Sequence, residues 1–447
     1  MTSPGADSHL TILGAGIAGL SVGHYARKAG VPFTILESKA EIGGNCRTIE
    51  HGGFRFDTGA HRFHDKDGSQ TRELKGLLGD DLREVSVPSR IYHRGKFIAF
   101  PPSPLDISRR LGIRFVSRAA FEVLRARLAT RPREMDFESF ATRNYGRTIA
   151  ELFLLGYSQK LWGVPPRRLS PVVSGMRLKG LSAGVMFREM VGRPKSGAPH
   201  LDGSFFYPRT GIQAIPDGLG ESCGPGRILT RSRVTRIVHD DREIRAVEIN
   251  GREIRETVRV VGTLPLTVFL GMLDPPPPAE ILGLARRLKY RNLLLCALFL
   301  DKPSVSPFAS FYFPDPRFSF ARLSEPRARS AFMAPPGKTA IIVEFPCGPD
   351  EPLWDAPDDG LLEKTGSDLI RTGFIRAGEI IGGAVIRMDY AYPVIEIGTE
   401  EITRPIFRYL GRFGNLTLSG RGARFEYVHI HDLMRRGQEI IDGRTPV

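Results

Sequence analysis

The chain has 447 residues, 41% of them apolar and 25% charged, and a net charge of +14 at pH 7. It is too long for one core, its composition excludes a disordered or fibrous class, and no run comes near the roughly 18 uncharged apolar residues of a spanning helix. The excess charge is local, with 18 Lys/Arg against 7 Asp/Glu in residues 101–200. That region reads either as a solvated helical face or as the seat of an anionic partner, a phosphate-bearing substrate or a membrane surface. Nucleic acid is not expected, because no binding motif is present and the arginines are dispersed among apolar residues.

Met1–Ser8 lacks the basic start and apolar core of a signal peptide and reads as a loose leader. Leu10–Leu13 is an apolar run that stops at Gly14-Ala15-Gly16-Ile17-Ala18-Gly19, a GxGxxG spacing. A helical pattern follows from Leu20 to about Ala29. A second apolar run, Pro32–Leu36, then ends in Glu37, 18 residues after Gly19. Strand, tight turn, helix, strand and acid in that order predict dinucleotide binding. Gly14 permits the turn, Gly16 lets amides approach a pyrophosphate, and Gly19 lets helix and strand pack closely. The positive helix end, with Ala18 in its first turn, faces the anion. Glu37, with Ser38 beside it, would accept hydrogen bonds from ribose hydroxyls. Ile42-Gly43-Gly44-Asn45-Cys46-Arg47 brings a second glycine turn and an arginine. The four cysteines (Cys46, Cys223, Cys296, Cys347) lie far apart, without CxxC or paired histidines. They indicate no metal site and no disulfide framework, and suit a cytoplasmic setting.

His51–Asp57 reads as a hairpin leading into Gly59-Ala60-His61-Arg62-Phe63-His64, and 70–79 as a helix. Ser86–Phe100 reads as two strands turning at Arg94-Gly95-Lys96. After Pro101–Pro104, residues 105–130, 137–145, 147–161 and 171–191 carry apolar positions at helical spacing, with basic residues between. They predict a helical insert over the substrate side, which contains Gly156-Tyr157-Ser158-Gln159-Lys160-Leu161-Trp162-Gly163. Short strands are expected at 228–229, 234–238, 246–249 and 258–262, then an antiparallel sheet from 292–300, 309–313 and 339–346. Residues 359–379 are predicted helical, and Tyr392-Pro393-Val394 precedes a helix near 400–413. A strand at 416–420 leads through Arg421–Tyr427 to a last helix over 429–441.

Residues 10–64 resemble the nucleotide cradle of two-domain FAD enzymes: amine oxidases, protoporphyrinogen oxidases and UDP-galactopyranose mutases. Gly59–His64 and Gly156–Gly163 are similar to the mutase stretches Gly-Ala-His-x-Phe-His and Gly-Tyr-Thr-x-Lys-x-Trp-Gly. The resemblance implies an α/β two-domain FAD-binding fold. A Rossmann-like doubly wound domain (9–85, 201–266, 396–447) would be joined to an antiparallel-sheet substrate domain with a helical insert (86–200, 267–395). It implies FAD held by Gly14, Gly16, Ala18, Gly19, Glu37, Ser38, Gly43, Gly44, Asn45 and Arg47. Val234 would lie near the adenine, and Gly420-Arg421 would close over the flavin.

His61 would lie by the flavin, while Arg177, Arg291 and Arg322 would bind a diphosphate, which planar guanidinium forks suit. Tyr157 and Trp162 would hold a base, with Tyr427 and His64 completing the substrate site. Two mutase tyrosines fall at Phe425 and Val428 here. The implied substrate is therefore a small anion, a nucleotide-activated or phosphorylated sugar handled through reduced flavin N5, and UDP-galactopyranose itself is in doubt. The alternative is an FAD-dependent oxidoreductase of the amine oxidase or protoporphyrinogen oxidase type, removing hydride from an amine, sugar or polycyclic substrate. Peripheral membrane contact and oligomerisation are both compatible with this reading.

Overall fold

In the computed structural model, residues 9–128, 135–173 and 204–444 are described. Most of the helix predicted over 171–191, Arg177 included, lies outside the described residues.

Leu10–Leu13 and Phe33–Leu36 form the centre of a five-stranded parallel sheet, flanked by Arg259–Gly262 and Leu416–Leu418 on one side and Ile228–Leu229 on the other. The period-two alternation of strands sorts their side chains. Leu10, Ile12, Phe33 and Ile35 share a core with Leu20, Ile215 and Met434 of three helices, Ile17–Lys28, Ala214–Cys223 and Ile430–Ile441. Leu13, Leu36, Val260 and Leu418 instead share a core with Val234, Ile237 and Val247. Those residues belong to a four-stranded sheet built on Val234–His239 and Ile244–Ile249. The second face of the parallel sheet is thus covered by a sheet, where a strictly doubly wound fold would place helices.

The other large unit is a seven-stranded sheet in the order Ile380–Pro393, Tyr290–Leu300, Thr339–Cys347, Arg322–Ser324, Ser310–Tyr312, Ser89–His93 and Lys96–Phe100. Every residue of Tyr290–Leu300 is buried. The hairpin predicted at Arg94-Gly95 forms, with φ of 49° and 81° at those residues. The 14-residue strand Ile380–Pro393 was not predicted. A Cβ at Gly383 would come within 2.8 Å of the Ala297 carbonyl oxygen, so glycine is what lets this edge strand pair closely. The helix expected over 359–379 stops at Arg371, two residues before Gly373 with its φ of 77°.

The helical insert comprises Pro104–Leu111, Ile113–Leu128, Phe137–Tyr145 and a helix from Arg147 to Trp162 whose Ala150–Leu154 turn is π-helical. The strands on either side of residues 87–203, Leu82–Ser86 and Ser204–Pro208, pair antiparallel with Ser86 opposite Ser204. Among the described residues no helix is long and apolar enough to cross a membrane.

Candidate active site

The strand Leu10–Leu13 turns at Gly14, whose φ is 105°, and the helix begins at Ile17. Its first turn has no acidic residue and no side-chain cap, and its first internal bond is Leu20 N–H to the Gly16 carbonyl, 2.9 Å. The amides of Ile17, Ala18 and Gly19 therefore point outward at the positive end of the helix. A Cβ at Gly19 would fall inside the van der Waals shell of the Gly14 carbonyl oxygen. The second glycine turn docks on the first: Gly43 N–H donates to the Ala15 carbonyl (2.8 Å), and a Cβ on Gly44 would lie 3.2 Å from Gly16 Cα.

The Glu37 carboxylate, 8% exposed, accepts from Ala15 N–H (2.8 Å), Lys39 N–H (2.9 Å) and the Ser38 hydroxyl (3.2 Å). These bonds fix it at the mouth of the turn. Val234 lies buried on its strand opposite Ile249, in the same core as Leu36. Gly420 (φ 109°) closes the opposite side, since a Cβ there would be 3.4 Å from that of Ala18. Ser419 Oγ, Arg47 Nε and His61 Nε2 are buried with no partner among the described residues. Arg47 otherwise pairs with Glu41 at 2.7 Å, and Asn45 Nδ2 donates to the Tyr390 carbonyl at 3.3 Å. A cradle in which Cβ atoms at Gly14, Gly19, Gly43 and Gly44 have no room, rimmed by orphaned polar atoms, fits FAD.

His61 is the centre of the other half. Its ring donates to the Asn45 backbone carbonyl, which leaves Nε2 as an acceptor lone pair. Burial, then the charges of Arg421, Arg322 and Arg329, push the imidazole down to about 3. The unfolded chain binds this proton near 6.5 and the folded chain does not until about 3, so stability falls as pH falls through that window. Thermal melts from neutral to mildly acidic pH should show a steeper loss for the native chain than for His61→Gln; equal slopes would remove His61 from this account.

Arg421 donates to the Val428 carbonyl (2.8 Å) and lies over the rings of Tyr392 and Tyr427, 5.4 and 5.1 Å from their centroids. It has no carboxylate partner among the described residues. Trp162, 2% exposed, meets both tyrosines edge to face, at 5.9 and 5.5 Å. Arg322 is buried in a two-pronged pair with Glu344, at 2.9 and 2.6 Å. Burial would lower its pKa, but the Glu344 charge holds it well above the ordinary value.

His61, Arg322, Arg421, Trp162 and Tyr427 are thus brought together. Arg291 is not among them: its guanidinium is paired with Glu351, donates to the Pro346 carbonyl (2.7 Å) and packs over Gly163. His64 sits edge-on to Phe205 at 6.1 Å, and Tyr157 edge-on to Tyr312 at 5.2 Å. Arg177 lies outside the described residues.

The Gly156–Gly163 segment is explained largely by packing. A Cβ at Gly156 would come within 2.5 Å of the Pro314 carbonyl oxygen. Lys160 Nζ donates to the carbonyls of Phe313 (2.7 Å), Asp315 (2.5 Å) and Phe320 (3.0 Å), and burial lowers its pKa to about 8. Gly163, left-handed with φ 69°, ends the helix and leaves space for Arg291. Trp162 of this stretch packs on the Arg421 cluster, and Tyr157, against Tyr312, lies near enough to Arg322 to act on its charge. Tyr392 and Arg329 were missed by sequence reasoning. The Tyr392-Pro393-Val394 triplet was visible, but without the strand that carries it nothing placed it beside Arg421.

The sequence profile of flavin-containing amine oxidoreductases matches residues 17–376. The chain belongs to this family. It is a flavoenzyme, and FAD is its cofactor. The chain is 25% identical over 291 residues to protoporphyrinogen oxidase 1 of Arabidopsis thaliana, covering 59% of this chain and 54% of that protein. With the spinach (Spinacia oleracea) enzyme of the same name it shares 23% over 401 residues, 80% of this chain and 70% of the relative. Against tobacco (Nicotiana tabacum) protoporphyrinogen oxidase the match spans 31% of that protein, so the chain covers about a third to a half of several curated relatives. Reduced UDP-galactopyranose mutase superposes with a TM-score of 0.83 at 19% identity, covering 97% of this chain and 95% of that one. Cyclohexylamine oxidase from Brevibacterium oxydans gives 0.66 at 15% identity, covering 98% of both chains. These structural likenesses establish a shared fold.

Proposed function

We propose that this flavoenzyme acts on a nucleotide-activated or phosphorylated sugar. The observation that carries the reading is the Arg421 cluster: a guanidinium without a carboxylate partner among the described residues, clasped by Tyr392 and Tyr427, walled by Trp162 and adjoining neutral His61. A planar cation answers a phosphate, and an aromatic wall answers a base or sugar face. The fold shared with UDP-galactopyranose mutase and the Gly156–Gly163 stretch support the same substrate class.

Bound FAD would supply the redox chemistry, held by the amides of Ile17–Gly19, by Glu37 and by the Gly43-Gly44 turn. The chain's own residues bind and orient. Arg421 keeps a positive charge at the site, His61 Nε2 offers a lone pair that accepts a hydrogen bond, and the three aromatic rings exclude water. A cytoplasmic setting belongs to the same proposal and suits four buried free cysteines.

One observation favours a second reading, net oxidation of an organic substrate. Arg322 and Arg291, two of the arginines assigned to a diphosphate, are already neutralised by Glu344 and Glu351. The Arabidopsis and spinach relatives are protoporphyrinogen oxidases, in line with this. Dithionite-reduced protein given UDP-sugars without oxygen separates the two. Sugar isomerisation without net electron transfer supports the mutase-like reading; bleaching of the oxidised protein by a candidate substrate, with peroxide formed when air is admitted, replaces it. Trp162→Phe should weaken UDP binding roughly fivefold, a loss of about 1 kcal/mol of stacking, beside a lowered melting temperature, since Trp162 is buried against both tyrosines. An unaltered Kd would count against a base lying on Trp162.

A further inference from the structure

The helical insert presents an apolar stripe that no described residue covers. On the helix Ile113–Leu128, the side chains of Ile113, Phe121, Leu124 and Leu128 recur at helical spacing and are 68, 65, 60 and 82% exposed. Phe115, Val116 and Ala119, on the opposite side, pack on the core. At about 100° per residue the exposed stripe occupies one quadrant, and Arg114, Arg118 and Arg125 follow it along one border. Arg118 pairs with Glu122 at 3.0 Å, whereas Arg114 and Arg125 have no carboxylate partner among the described residues.

We propose that this face docks on an anionic phospholipid surface, with the arginines at headgroup phosphates and Phe121, Leu124 and Leu128 at the acyl boundary. Charge complementarity selects the occupant. A second copy packed antiparallel across this face would bring the two arginine borders together, which like-charge repulsion opposes. A bilayer with phosphate at its surface and hydrocarbon beneath matches the apolar stripe and its basic border. The helix is too short and too charged to span, so it lies in the interface plane. The proposal does not depend on the identity of the sugar or oxidase substrate.

The test uses the full-length FAD-bound protein sedimented with phosphatidylcholine vesicles, with and without phosphatidylglycerol. The native chain should partition to the anionic vesicles and be released by salt. Arg114→Glu/Arg125→Glu should lower that partition more than tenfold, since each basic residue near the surface contributes roughly fivefold. Phe121→Ser/Leu124→Ser/Leu128→Ser should lower it at least as much. All these positions are exposed, and retained flavin absorbance and melting temperature report an intact fold. Absence of the native chain from the anionic pellet, or equal sedimentation of the variants, overturns the proposal. So does loss of a dimer on gel filtration in the serine variant without any vesicle binding by the native chain.

Discussion

Gly19→Val should yield a colourless protein. The new side chain would force its Cβ onto the Gly14 carbonyl oxygen, with Ile12 Cγ2 3.1 Å away on the other side, so either strand or helix must move. Such overpacking costs about 1–3 kcal/mol or more and displaces the three outward amides that receive the pyrophosphate. Gly16→Ala separates cofactor binding from packing. Its added methyl would meet nothing nearer than Gly44 Cα at 4.0 Å, so thermal stability without FAD should hold while FAD affinity falls at least tenfold. Gly76→Ala, with no atom within 4 Å of the new Cβ, should stay yellow. Visible absorbance after reconstitution, alongside melting curves, reads all three. A yellow Gly19→Val protein would refute the cradle and every site built on it.

Glu344→Ala is the substitution with the largest expected cost to stability. Glu344 stands directly opposite Arg322 in neighbouring strands, and both side chains are under a tenth exposed. Removing the acid strands a guanidinium in the sheet interior, at about 3–5 kcal/mol, while replacing both partners with apolar residues is often neutral. Urea unfolding of Glu344→Ala, Arg322→Met and Arg322→Met/Glu344→Leu should show large losses in the singles and most of the stability regained in the double. If Glu344→Ala unfolds like the native chain, then Arg322 is not held by Glu344, and its availability to a substrate must be reconsidered.

The flavin cradle was legible because its parts are local. Gly14, Gly16, Gly19 and Glu37 lie within one strand–helix–strand unit, where spacing alone dictates which amides face outward. The partners of the arginines were not legible. Arg322 sits in a Phe-Ala-Arg-Leu-Ser-Glu segment that draws the eye to Glu325, yet that acid accepts from Val305 and Ser306 amides and from the Thr339 hydroxyl. The acid that pairs with Arg322 comes from the next strand, and only sheet register reveals it. Arg291 was likewise read as ligand-facing, because nothing in its own strand shows Glu351 or the bare surface of Gly163. The strand Ile380–Pro393 was not anticipated, and without it nothing placed Tyr392 beside Arg421.

The two ends of the excursion formed by residues 87–203 meet where Ser86 pairs with Ser204. Between those ends the excursion is tied down again, because Ser89–His93 and Lys96–Phe100 complete the seven-stranded sheet and Trp162 packs on Tyr392 and Tyr427. The glycine turns Gly14–Gly19 and Gly43-Gly44 lie outside it. Descendants of this chain can therefore vary the exposed Phe121 helix and its anchoring most freely, while changes near Trp162 must keep faith with the strands it rests on.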